Sequence, residues 1–423
     1  MTPVPLDLPL RPSEAAEVAN LVFDLAERRP LTGDLRNRIA ARVAALQLES
    51  IAPLMGSLAR DPVHHSTYYL VVDVAGGPPQ LLHMALASAP TSGVFHKPLL
   101  ICRVRRAGGP EAVINAIPFG PADAETLEKY VSRVDSAFAP RPQGQHAAMV
   151  AAPARPETGM AAAFDAFRRI LKRTGRNLAA VEMPPPAYDS GLRAAVRAGW
   201  RDGYSAGVAI RAGETSRENV RQAARFTRFR IDAAGLVANA DGAVEERFEA
   251  AFAAGERGWI LGEFVRTFDV GGVAYELTAP EAARMAVRLG PALKTGERLH
   301  QWIREARSAA KTGRSFDFEL ALPGASAREL LFCLHWLKAR DHAAQFIDPG
   351  AIAEAELEAA LRDMAGIGRQ YGCLLTVDAG AGNSDAALQV IARATAGRVN
   401  YRVTGEPAGD AHQLSRIAEI LWG

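Results

Sequence analysis

Acidic and basic side chains recur at one kind of place in this sequence, the C-terminal ends of short β-rich runs. They are Arg155, Arg211, Asp232, Glu319 (inside its run), Asp348, Asp378 with Asn383, and Arg402 to Glu406. A carboxylate in such a place can move a proton or hold a hard cation, and a guanidinium can pair bidentately with a carboxylate. Glu319 and Asp378 are the candidate acid/base groups, and Arg211, Asp232, Asn383, Arg402 and Glu406 the candidates for holding a ligand. No histidine or cysteine stands at these ends except Cys373, at the opposite end of its run. His146 begins a run, His342 precedes one, and His300, His335 and His412 fall in helical stretches, while His64, His65, His83 and His96 lie far upstream. A zinc or iron centre needs convergent ligands, imidazole prominent among them, so no transition-metal site is expected and no cofactor is called for. The alternative is a divalent metal such as magnesium, held by Asp232, Glu319, Asp348 and Asp378. The plainer reading, which the sequence favours, pairs these acids with Arg211, Arg230 and Arg402.

Other motifs say less. VDAGAGNSD (377–385) places G-x-G between a strand and a helix, where a phosphate could sit on helix N–H groups. It lacks the third glycine and the downstream acid of a dinucleotide fingerprint, and its plainer role is a turn whose Asn383, Ser384 or Asp385 caps the helix. MPPPAYD (183–189) reads as a stiff connector. His64-His65 reads as loop surface, since adjacent histidines chelate poorly without a third ligand.

The elements that must position these groups fall into two textures. Residues 13–29 and 34–47 carry apolar positions at helical spacing. TYYLVVDV, QLLHMALA, PLLICRVR and AVINAIPF follow as strands punctuated by Gly/Pro pairs, then a helix at 122–137. This predicts a small α+β domain over 1–140, closed by a linker-like APRPQGQ (139–145). From residue 146 to 423 strands and helices alternate. Candidate strands are 147–152, 207–212, 227–233, 316–322, 343–348, 373–379 and 400–405, with a weak one hidden near 164–172. Helices are expected near 160–174, 189–202, 216–225, 279–311, 325–339, 352–371, 384–396 and 409–421. Short uncharged strands alternating with amphipathic helices mean parallel strands under helices, and the count favours a closed (β/α)8 TIM-like barrel over an open doubly wound sheet. Two β-runs around Gly271-Gly272 predict a hairpin inserted on the barrel at 263–277.

Composition narrows the classes. The chain has 423 residues, 48% hydrophobic and 23% charged, the balance of a globular protein long enough for two domains. Forty-nine basic and forty-seven acidic side chains nearly cancel, which argues against a nucleic-acid partner. The arginine-rich stretch 217–230 reads as a solvated helix face followed by a strand. No apolar run approaches a membrane span, and the N-terminus lacks secretory character, so a cytoplasmic protein without a membrane partner is expected. Three scattered cysteines suit a reducing compartment. Oligomeric state is not legible.

Three stretches resemble the tagaturonate epimerases: LKRTGRNLAAVEM with AGWRDGYSAGVAIRAGETSRENVRQAARFTRFRID (171–232), EFVRTFDVGGVAYELTAPEAARM through FDFELAL (263–322), and YGCLLTVDAGAGNSD with GRVNYRVTGEP (371–407). The resemblance spans roughly 150–423. It implies a TIM barrel acting on a hexuronate, a sugar acid, in which a metal polarises the substrate while acid/base groups invert a stereocentre. The functional phrases depart from that family. Where its members carry a D-A-D-H-type run, this chain has VAIRAGET (208–215), and after F-D-F-E their D-E-T gives way to Leu320 to Ala325. An H-S-G-S-D-K stretch is replaced by Asp378 to Asn383, and His-Val-Lys by Asn400-Tyr401-Arg402, leaving Glu319 and Asp232 in place. Scaffold kept and site emptied implies a relative without the metal-dependent activity, a pseudoenzyme. The alternative is an active carbohydrate epimerase or isomerase with a rebuilt acid/base or magnesium site.

Overall fold

Downstream of residue 146 the β-rich runs pair in parallel and close on themselves. The computed structural model describes residues 9–27, 29–88, 94–95, 98–106, 109–152, 156–240, 242–378, 384–404 and 411–423. The barrel strands, first to eighth, are Met149–Ala152, Ala179–Glu182, Ser205–Arg211, Arg228–Asp232, Asp317–Ala321, Phe346–Asp348, Leu374–Asp378 and Val399–Thr404. Each pairs with its sequence neighbour, and the eighth returns to the first through Arg402↔Val150, so the sheet has no edge. Phe229, Ile231, Phe318, Leu320 and Ile347 are fully buried on the outward face, under the helices. Their alternates Arg228, Arg230, Glu319 and Asp348 point to the barrel axis, as a period of two requires.

The expected strand near 164–172 is instead part of helix Pro156–Thr174, and the missing strand is Ala179–Glu182. Its four residues, AAVE, hold two alanines and too little apolar periodicity to separate strand from helix. Between the fourth and fifth strands lie two helices the sequence did not announce, Val244–Ala251 and Ala254–Phe264. They bury only Phe248, and Ile260 with Phe264, so their apolar stripes are faint. The inserted hairpin is present as Thr267–Val270 and Val273–Glu276, joined through Gly271 and Gly272 at φ 59° and 88°. Two successive left-handed residues suit glycine and match the twist of a two-residue hairpin. Helix Ala279–Ala309 follows, started by a Thr278–Glu281 capping box.

By its contacts the chain divides into one unit of Met1–Ala139 with Asp189–Gly203, and a second of Pro140–Tyr188 with Tyr204–Gly423. The stretch 189–203 therefore groups with the N-terminal residues, although its place in the sequence puts it within the barrel repeat. In the first unit a sheet runs in the order 51–53, 67–74, 77–86, 112–118, 99–104, with helices Pro12–Ala26 and Gly33–Val43 packed on a core containing Phe23, Tyr68, Val72, Leu82 and Ile114. The helix expected at 122–137 is α-helical over Ala124–Lys129 and continues as a π-helical turn, Tyr130–Val134.

The segment 140–145 is not a loose linker. Gln143 N and Gly144 N donate to the two carboxylate oxygens of Asp317 at 2.9 and 2.8 Å, Gln143 Nε2 donates to Ala179 O at 2.6 Å, and Arg141 N to Tyr204 O at 2.9 Å. Asp317, Ala179 and Tyr204 all stand at strand N-termini, so this segment lies across the floor of the barrel. Among the described residues no helix is long and apolar enough to cross a membrane.

Candidate functional site

The inward positions of strands four to eight carry a charged network where a TIM barrel ordinarily packs branched aliphatic side chains. Ala148, just before the first strand, packs with Val150 and Ala180 of the first and second strands in a small buried apolar cluster. Glu319 sits at the centre with no solvent exposure. Its Oε2 accepts from Arg228 Nε at 3.0 Å and Nη2 at 2.6 Å, and its Oε1 accepts from Arg402 Nη2 at 2.8 Å. Arg230 Nη2 and Arg402 Nη1 both donate to Asp348 Oδ2, at 2.9 and 3.1 Å. Arg402 also reaches Asp378 Oδ1 at 3.2 Å and Glu182 Oε2 at 3.4 Å. The second oxygen of Asp348 accepts from Gly350 N at 2.9 Å, and the Arg228 guanidinium lies 4.1 Å from the Phe346 ring centroid. A desolvated guanidinium is tolerated where its charge is paired in this way.

The network sets its own charge states. Burial works to raise the Glu319 carboxyl, but Arg228, Arg402 and Arg230 outweigh it and hold it below the usual carboxylate range. Burial works against the charge of Arg402, yet Glu319, Glu182, Asp378 and Asp348 keep its pKa well above normal. Asp378 moves the other way. Burial and the neighbouring charge of Asp348 push it up, and Arg402 with Arg230 offsets them only in part. Its side chain is 38% exposed, against 3% for Arg402, so it is the network's acid nearest to solvent.

The remaining candidates stand apart. Arg211 and Asp232 are register partners at the ends of the third and fourth strands. Arg211 is exposed and pairs with Glu214 at 3.4 Å rather than with a barrel acid, and Asp232 Oδ1 accepts from Ala234 N at 3.1 Å. The expected pairing of acids with arginines thus holds for Arg230 and Arg402 and fails for Arg211. Asn383, Glu406, Arg155 and the 380–382 glycine turn lie outside the described residues. Two members were missed in the sequence. Arg228 shares the inward face of RFRID with Arg230, so strict alternation could have found it. Glu182 lay on the unrecognised AAVE strand.

A divalent or transition ion does not fit this donor set. There is no imidazole in it, and the oxygens that converge on the centre already accept from guanidinium groups. Among the described residues no group of three or more His, Cys, Asp or Glu is arranged to hold a metal ion.

Solved structures similar to this chain follow most of its course. A one-glycerol complex of fructuronate-tagaturonate epimerase UxaE from Cohnella laeviribosi matches with TM-score 0.63 at 18% identity, over 86% of this chain and 74% of that one. The native structure of the same enzyme gives TM-score 0.62 at 17% identity, over 87% and 74%. The fold is similar to that of UxaE. At such identity the likeness to UxaE carries the architecture and not the chemistry. No protein-family model matches the chain, and no curated protein matches it.

Proposed function

We propose that this chain is a divergent relative of the tagaturonate epimerases whose barrel holds a sugar acid without performing the metal-dependent inversion. The observation that carries this reading is the saturation of Glu319 and Asp348 by Arg228, Arg230 and Arg402. A metal would have to displace guanidinium groups from a buried site, stranding each as an unpaired charge at a cost of several kcal/mol. In this reading no cofactor is needed, and Arg211, exposed at the end of the third strand beside its register partner Asp232, supplies positive charge toward a carboxylate ligand. Purified protein incubated with tagaturonate or fructuronate and millimolar manganese, zinc, nickel or iron should give no interconversion above the protein-free blank. Interconversion at a rate set by added metal would sink the proposal.

One observation favours a second reading, an active epimerase or isomerase with a rebuilt acid/base site. Asp378 is the least buried acid of the network and its carboxyl is pushed up, as suits a group that exchanges protons. Under that reading turnover disappears in Glu319→Gln/Asp378→Asn. Activity surviving in the double variant excludes it.

A further inference from the structure

We infer that a cavity in the first unit, formed without barrel residues, is a binding site for a small phosphate ester with an apolar body. The cavity has a volume of about 650 Å³, the size of a small-molecule site. One wall is the turn after Arg60, which presents Val63 and His64. The other is the end of helix Ala124–Lys129 with the π-helical turn that follows, which presents Lys129, Ser132 and Arg133. Both walls are pinned from behind. Asp61 is buried, and its Oδ1 accepts from Val63 N at 2.9 Å and His64 N at 2.8 Å, while its Oδ2 accepts from Tyr69 Oη at 3.1 Å. The π-helical turn is anchored by Tyr130, fully buried, whose hydroxyl donates to Ser57 O. Such turns are rare and frequently stand at functional sites.

Charge and shape name the ligand. Asp61 is the only acid in the lining, and its two oxygens are already engaged within the protein. Lys129 and Arg133 therefore leave the cavity positive. Lys129 Nζ lies 2.7 Å from Glu125 Oε1, but that carboxylate is 73% exposed, and a pair so wet holds its lysine weakly. Arg133 is exposed and has no ion-pair or hydrogen-bond partner among the described residues. A phosphate group, doubly charged and carrying three acceptor oxygens, can take N–H donors from Arg133 and Lys129 together with the Ser132 hydroxyl. Beside these donors Val63 is 74% exposed, with Val94 also in the lining. Inorganic phosphate would leave that apolar surface in water, whereas the organic part of an ester covers it.

The test is isothermal titration calorimetry of the full chain with phenyl phosphate, inorganic phosphate and benzoate. Phenyl phosphate should bind saturably, at least about tenfold more tightly than either of the others. Arg133→Gln and Lys129→Gln should each weaken it at least about tenfold, the worth of a charge-assisted hydrogen bond. Val63→Ser should bring phenyl phosphate down toward inorganic phosphate while leaving inorganic phosphate itself unchanged. These side chains lie at the surface, so the variants should fold as the wild type does. Arg211→Gln, on the barrel, should leave phenyl phosphate binding as it was. No saturable binding at millimolar phenyl phosphate would overturn the inference, as would binding indifferent to Arg133→Gln and Lys129→Gln. Benzoate binding as tightly as phenyl phosphate would overturn the choice of phosphate, and affinity lost in Arg211→Gln would place the anion at the barrel instead.

Discussion

Arg228 donates twice to a single oxygen of Glu319, through Nε at 3.0 Å and Nη2 at 2.6 Å, on a diagonal between adjoining strands. Directly opposite Glu319 in the ladder stands Arg230, and opposite Arg228 stands Asp317. The diagonal lets one buried carboxylate serve Arg228 on one oxygen and Arg402 on the other. Glu319→Gln keeps the size of the side chain and removes its charge, leaving Arg228 without the carboxylate it is hydrogen-bonded to. We expect a loss of roughly 3–5 kcal/mol, as for other broken buried pairs, read as a fall in the denaturant midpoint. A change under about 1 kcal/mol would show that the pair contributes little to stability.

The barrel should lose stability in acid, in two steps. His300 Nδ1 and His342 Nδ1 lie 3.0 Å apart, so one must carry a proton and the other a bare lone pair. Burial and the neighbouring His342 lower the pKa of His300 to about 4. A folded pKa below the unfolded one means that the unfolded chain takes up the proton first. The stabilisation is therefore full above the ordinary histidine range near 6.5 and drains away as pH falls toward 4. Glu319, also lowered, contributes a second loss, starting below its ordinary value of 4.5. In urea titrations from pH 7.5 to 4, His300→Gln should flatten the upper part of the slope while leaving the region below pH 4.5 steep. An unchanged slope above pH 5 would rule out the histidine pair as its source.

Asp317 offers a cleaner deletion. It is buried, and it accepts from the amides of Gln143 and Gly144 at 2.9 and 2.8 Å. Asp317→Ala strips both amides of their acceptor, with an expected cost of about 1–3 kcal/mol for each group left unsatisfied. Amide hydrogen exchange at residues 143 and 144 should quicken before the rest of the barrel opens. Protection unchanged at those two amides would contradict the arrangement.

In the first unit Gly199 has φ 65°, and a Cβ built on it would lie 2.6 Å from the Gly56 Cα. Gly199→Ala therefore meets both a left-handed backbone and fixed main-chain atoms, which do not yield as a side-chain tip would. A loss of about 2 kcal/mol or more is expected, from strain and overpacking together. The readout is thermal unfolding beside Gly76→Ala, which has positive φ but open space around it and should cost less.

Much of the barrel was legible in the sequence because its strands are short apolar runs bounded by loops. FDFELAL and TRFRID declare both their strand character and, by alternation, which side chains point inward. AAVE did not, since two alanines fit helix and strand equally well, and Glu182 was lost with it. The pairing of acids with arginines could be foreseen as a kind of interaction but not in its particulars. Arg211 closes its strand and turns to Glu214 in its own loop, while Arg402 lies two residues inside its strand and enters the interior. Which guanidinium goes inward depends on neighbouring strands far apart in the chain, and local pattern holds no record of it. Nor did APRPQGQ disclose that its amides tie down a carboxylate some 170 residues later, at separations of 174 and 173.

That tie fixes where the barrel begins as a free-standing piece. A fragment trimmed to its first strand at Met149 would keep all eight staves and lose the cork, baring Asp317 and the Ala179 carbonyl to water at the base. Anyone moving this barrel to a new host must carry the stretch from Pro140 along with it, as part of the vessel and not of the packing between vessels.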